Sequence, residues 1–315
     1  MRFFPTLGTC ARGILFLALA LLAGPLSAQL PAFPGAEGYG AWARGGRGGD
    51  VYYVTTLAAS GPGSFAEGVA GAPAQGRTIL FAVSGHIRLP SGSGGGLTID
   101  KDRITVAGQS APGDGICFWN NTMNVAASDL VFRHIRWRYG KQAAGGDCVD
   151  ISGAATNVIF DHCDMLFATD ENCSMFGGEP EYLTFQWTCN GWGLQSHSAG
   201  GLWDLQHASA HHMLWAHNHT RNAKVIRPLA LDWVNNVSFG WDYGMNMAGA
   251  ETPGTYRLNV RGSYFIHGGS TTEAIYGGGS NTYHLFMSDC ALDGNNNAVL
   301  DVSRTNYAMV SAGAY

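Results

Sequence analysis

Eight short β-type runs recur along this chain at a nearly constant interval. They are RITVAG at 103, DLVFRHIRW at 129, NVIFDHCDM at 157, YLTFQWTCN at 182, HMLWAHNHT at 212, DWVNNVSFG at 232, RLNVRGSYF at 257 and YHLFMSDCAL at 283, with successive starts 20 to 30 residues apart. A strand-centred repeat of that length cannot bury its apolar face alone and does so by stacking on its neighbours as one turn of a solenoid. Leucine-rich repeats share the period, but their LxxLxL…N signature is missing and Val, Ile, Phe and Trp fill the apolar positions. The pattern predicts an all-β chain wound as a right-handed, single-stranded parallel β-helix.

Polar or small residues follow the first apolar run of most repeats: His162, Asn218, Asn236 and Ser263. Asn, Asp and His tolerate the left-handed backbone that a sharp strand-to-strand bend requires, so these positions are expected at bends. The segments AFPGAEGYGAWARGGRGGDVYYV and LAASGPGSF lack the repeat. They are expected to contain the element that caps the stack, whose open β-edge would otherwise invite aggregation. No second domain is legible. The chain stops at YAMVSAGAY without a recognisable polar cap, which leaves room for a downstream segment.

Residues 1–28 read as a secretory leader: Arg2 and Arg12, then ILFLALALLAG, then PLSA before Gln29. That apolar run is shorter than the ~20 residues of a membrane span. The mature domain is therefore expected over 29–315, secreted or periplasmic and off the membrane. The leader holds two arginines and no acid, so its removal takes the formal net charge from -5 to -7. An acidic chain is a poor nucleic-acid binder by bulk charge. An anionic ligand would need local cations or a bridging metal. Six cysteines remain, and the spacing of Cys163 and Cys189 allows either a disulfide or a stacked reduced pair.

In order along the chain, AFPGAEGYGAWARGGRGGDVYYVTTL, SGPGSF, VSGHIRL, TVAGQSAPGDGI, VFRHIRWRYG, VIFDHCDMLFATDEN and HHMLWAHNHTRNAKV are similar to segments of secreted bacterial pectate lyases of the parallel β-helix type, polysaccharide lyase family one. The resemblance runs from about Phe33 to about Trp241. It implies β-elimination on polygalacturonate or pectin, the acidic polysaccharide of plant cell walls, by a monomer. A base takes the proton from C5 of a uronate, the C4 glycosidic oxygen leaves, and calcium neutralises the neighbouring carboxylate, an ion suited to many oxygen ligands.

Residue by residue, the resemblance makes Arg221 in HTRNAKV the base, although free arginine stays protonated and needs an unusual environment for that role. Lys224 and Arg227 are the nearby cations for substrate carboxylates. Asp147 in GGDCVDI and Asp170 in ATDENCS fall at calcium ligands, with Asp150 and Glu171 as additions; Asp161 is expected to make structural hydrogen bonds. Four positions depart from the family. Ala223 and Ile226 interrupt its R-x-P-x-x-R pattern, Ser174 replaces an aspartate, and Ala199 stands where an HSKG-like segment carries a lysine, leaving His197 to supply part of that charge.

Three other readings of the same residues stay open. These departures suit a β-helix that binds uronate polymer without cleaving it, or a lyase for another uronate. Asp147, Asp150 and Asp170 could serve a hydrolase needing two convergent carboxylates. The cluster of His212, His217 and His219 could hold a metal, though without HExxH-like spacing. Trp187, Trp192, Trp203 and Trp215 could line a sugar groove or fill the core.

Overall fold

Six of the eight runs each cover a strand of one sheet, a tight bend, and a strand of another, while RITVAG covers the strand Ile104–Ala107 alone. HMLWAHNHT begins at the bend: its first strand is His207–His211, just upstream, where the small residues Ala208, Ser209 and Ala210 hide the β pattern. The computed structural model describes residues 29–91, 96–140, 145–248, 255–266, 274–278, 282–301 and 303–311. The expected leader lies outside the described residues. The elements belong to one unit that begins at Pro31.

Three sheets form the sides of a right-handed parallel β-helix. The first has ten strands, from Asp50–Val54 to Thr282–Ser288; the second has eight, from Leu97–Ile99 to Ile275–Gly278; the third has ten, from Gly85–Arg88 to Ser303–Thr305. Pairing is parallel throughout, except that Ser303–Thr305 runs antiparallel to Ala291–Asp293. Register places Val106, Phe132, Phe160, Phe185, Ala210, Trp233, Val260 and Met287 in one column of the first sheet. Alternation sends these side chains inward, as in Thr255–Arg261, where every second residue is buried. Aromatic rings continue the stacking through the core: Phe132 to Phe160 at 4.7 Å, Phe160 to Phe185 at 5.0 Å and Phe185 to Trp203 at 5.0 Å. Trp203 and Trp215 are wholly buried core residues, whereas Trp187 and Trp192 are exposed.

The bends correct the expected positions by one residue. Left-handed backbone falls on His134, His162, Trp187, His212, Asn235 and Asp289, with Gly262 at the equivalent place. Of the four residues expected there only His162 holds the bend. Asn236 and Ser263 follow it and turn inward, Asn236 accepting from the Met213 N–H at 2.8 Å and donating to the Ala210 carbonyl at 2.9 Å. Asn218 likewise follows the left-handed His217 and is fully buried. Outside the bend, Trp187 stacks on His212 at 4.1 Å and His134 on His162 at 4.9 Å.

The non-repeating segments do two different things. The short α-helix Phe65–Ala70, capped by Ser64, buries Phe65 against Phe81 and Phe118 beside the first coils. Residues 33–42 instead form a strap across the outer face of the first sheet. Gln186, Thr184 and Ser209 bind the strap backbone at Glu37, Gly40 and Tyr39. A Cβ at Gly40 would sit 2.4 Å from the Val158 carbonyl oxygen, so contact this close excludes any side chain. Asp161 anchors the same face through Arg133, Gln186 and His162, as the sequence suggests. Cys163 and Cys189 are free thiols: Cys163 is a buried bend residue, and Cys189 pairs in register with Asp164 instead.

Candidate active site

The second sheet and the loops that enter it gather the acids. Asp147 and Asp170 stand at the entrances of the adjacent strands Val149–Ile151 and Glu171–Met175. The Glu171 N–H donates to Asp147 Oδ1 at 2.8 Å and the Asp170 N–H to the Gly146 carbonyl at 3.2 Å, so the backbone of one coil orients the carboxylate of the previous one. Burial, with the charges of Asp170 and Asp150 nearby, pushes the Asp147 carboxyl up to about 8 against the opposing pull of Arg221. Asp150 faces outward in the same sheet, is raised by burial, and lies in register with Ser174. His197 Nε2 lies 3.2 Å from Asp170 Oδ1, and ligand atoms of Asp170, Glu171 and His197 fall within 4.8 Å of one another.

Arg221 enters from the far side. Its guanidinium Nη1 pairs with Glu171 Oε1, a carboxylate only 4% exposed as a residue. The two residues are separated by the strand Ala199–Asp204: Glu171 pairs in register with Ala199, and Ala199 bridges to Thr220. Ala199 is fully buried. Lys224 follows on Lys224–Ile226, and its ammonium is depressed by burial and by Arg221. Arg227 has a different place. Its guanidinium grips Asp204 at 2.9 Å through Nε and Glu179 at 2.7 Å, which raises it further and leaves it apart from the acidic group.

Beneath these charges lies a network not evident from the sequence. Asn172 donates to Asn218 Oδ1 at 2.9 Å, Asn218 donates to Asn222 Oδ1 at 2.9 Å, and Asn190 donates to the Gly200 carbonyl at 3.0 Å. All four asparagines are essentially inaccessible. Asn172 directly follows Glu171 and Asn222 directly follows Arg221, so the network ties together the two backbones that carry the ion pair. Asn246 and Tyr276 extend the Lys224 column, with the Asn246 amide donating to the Tyr276 hydroxyl. Only strand register reveals that alignment.

The histidine-rich stretch sends its rings to separate partners. His212 stacks at one bend, His217 packs between Trp192 and Phe239 at another, and His219 pairs with Asp242 at 2.6 Å. The acidic group fits a hard cation better. Asp147, Asp170 and Glu171 offer carboxylate oxygens and Asp150 adds charge nearby, while the Asp147 carboxyl is raised chiefly by its burial.

The chain is 37% identical to a probable pectate lyase C of Aspergillus terreus over 306 residues, which cover 94% of this chain and 69% of that protein. A probable pectate lyase C of Emericella nidulans is also 37% identical, over 92% of this chain and 67% of its own length. The chain belongs to the pectate lyases. No family model matches it. Among solved structures, jun a 1, the major allergen from cedar pollen, superposes with a TM-score of 0.56 over 86% of both chains at 15% identity. A pectate lyase from Bacillus sp. N165 in complex with trigalacturonate gives 0.55 over 87% of this chain and 95% of that one, also at 15% identity. At such identity these superpositions speak for the β-helix alone.

Proposed function

We propose that this pectate lyase cleaves polygalacturonate by calcium-assisted β-elimination, with Arg221 as the base. The observation that carries the reading is the Arg221 guanidinium seated on Glu171 beside Asp147 and Asp170. Bound calcium would neutralise the substrate carboxylate, and the residues that would hold it are Asp147, Asp170 and Glu171, with Asp150 adding charge. His197 offers nitrogen, a poor match for calcium, and serves better toward the substrate.

The chain's own residues divide the remaining work. Lys224 meets a uronate carboxylate, a charge-assisted contact of roughly 1.5–3 kcal/mol. Glu171 holds the Arg221 side chain beside the acids, within reach of a uronate bound there. Arg221, as the neutral guanidine left after it gives a proton to solvent, takes the C5 proton; the C5–H electron pair forms the C4–C5 double bond, and the C4–O bond breaks toward the leaving chain, whose oxygen is protonated from water. The buried asparagines hold the backbone on either side of this transfer. Arg227 is left out of the substrate set because Asp204 and Glu179 occupy it.

The leader expected at 1–28 makes this an exported enzyme, secreted or periplasmic, working as a monomer on the acidic polysaccharide of plant cell walls. Among the described residues no helix is long and apolar enough to cross a membrane. Ultraviolet absorbance of polygalacturonate digests tests the reaction class. Unsaturated product that forms with calcium and stops with chelator is expected. Saturated ends would instead indicate hydrolysis, and polymer retained without any product would indicate a binding protein.

A further inference from the structure

The outer face of the first sheet carries an open polar hollow beside the strap. Two contiguous cavities of about 230 and 300 Å³ share Gly38, Ser209 and Asp232 in their walls. The larger reaches the lower end of the roughly 300–1,000 Å³ of small-ligand sites. One end is aromatic, with Tyr39, Trp42 and Tyr182. Trp42 is 44% and Tyr182 38% exposed, so both rings present open faces. Tyr39 and Tyr182 each pack on His207 with centroids 5.4 Å apart, which fixes their orientation.

The other end is polar, lined by Glu37, His211, His212, Asp232 and Arg261. His211 is 6% exposed, its Nδ1 lies 3.0 Å from His212 Nδ1, and its Nε2 has no hydrogen-bond partner. A buried polar atom left unpartnered is costly, and a hydroxyl that reached it would relieve that cost. Burial and the neighbouring His212 hold the His211 ring below the ordinary histidine value, hence neutral. A hydroxyl serves a neutral ring nitrogen whether that atom donates or accepts.

We propose that this hollow is a second carbohydrate site, which binds neutral sugar residues. Glu37, Asp232 and His211 take the hydroxyls, and Trp42 and Tyr182 take the apolar ring faces. Two carboxylates against one guanidinium disfavour a uronate there. The site shares no residue with the acidic group of the second sheet, so it stands apart from the elimination reading.

Calorimetric titration of the full chain with cellotetraose, galactotetraose and trigalacturonate tests it. Saturable binding of a neutral tetrasaccharide is expected, weakened about tenfold or more by Trp42→Ala and by Asp232→Asn, the scale of a lost stacking or charged hydrogen-bond partner. Arg221→Ala is expected to leave this binding unchanged, and both hollow variants to keep their action on polygalacturonate. Absence of binding by both neutral sugars overturns the proposal. So does binding that survives both substitutions, or that trigalacturonate displaces.

Discussion

Arg221 and Glu171 pair across an intervening strand, and the residue of that strand in register with Glu171 is Ala199. A lysine at 199 would stand against the same carboxylate and compete with Arg221 for it. The missing family lysine and the Arg221–Glu171 pair are therefore one feature. Among the described residues, the buried methyl of Ala199 leaves the guanidinium as the ion-pair partner of this acid.

Glu171→Gln strips the guanidinium of its counter-charge. Removing one member of a fully buried pair costs about 3–5 kcal/mol. The Arg221 side chain is 23% exposed, so water screens it and the expected loss is smaller, about 1–3 kcal/mol. Urea unfolding of the two proteins measures the difference. An unchanged midpoint would mean the pair contributes nothing.

Calcium should stabilise the folded chain. A ligand at a hundredfold excess over its Kd adds about 2.7 kcal/mol, and Asp147→Asn should remove most of that gain because it deletes one of the carboxylates proposed to hold the ion. Magnesium, which demands tighter octahedral geometry, should stabilise less. Thermal unfolding with each ion reads the effect, and equal shifts in wild type and variant would displace the cation from Asp147.

Asn218 makes its hydrogen bonds with Asn172, Asn190 and Asn222 in full burial. Asn218→Ala orphans several amide groups at roughly 1–3 kcal/mol each, less whatever water enters. Because those amides hold the chain beside Arg221 and Glu171 and not the polymer itself, kcat should fall while KM changes little. A variant with only a raised KM would show that Asn218 acts on binding.

Much of this architecture is legible in the sequence, for a physical reason. Strands that stack every 25 or so residues repeat their apolar alternation, as Val158–Phe160 and Leu183–Phe185 do. Where alternation fades, position is lost: Ala208, Ser209 and Ala210 conceal a strand. Bend residues were off by one because the left-handed residue and the inward amide behind it are both polar types, as at Asn235 and Asn236. Asp147 and Asp170, which the resemblance aligns, stand at the entrances of adjacent strands with Glu171 beside them. The pairing of Arg227 with Asp204 and Glu179 is not legible in the sequence, since those partners meet it only through strand register. The strap has no periodicity at all, and its role rests on contacts with residues about 150 positions away.

Asp161 sets an acid limit on the fold. Its burial would raise the carboxyl, but hydrogen bonds from Gln186, Arg133 and His162 outweigh that and hold it below the ordinary carboxylate value. A depressed carboxyl contributes stability that is complete above its unfolded value and is lost as pH falls through its folded value. Wild type should therefore lose stability steeply below about pH 4, where unfolded aspartates protonate. Asp161→Asn should start lower and show a shallower slope there, as acid titration followed by circular dichroism would record. Parallel slopes would remove Asp161 from the account.

The central claim is that Arg221 removes the C5 proton, and Arg221→Lys tests it most directly, since the substitution keeps a positive charge near Glu171. The measurement is the rate of unsaturated product from polygalacturonate at saturating calcium, alongside polymer affinity. The account predicts a fall in rate of at least about a hundredfold, the scale of a lost general base, with affinity largely kept. A variant that makes product at the wild-type rate would contradict it.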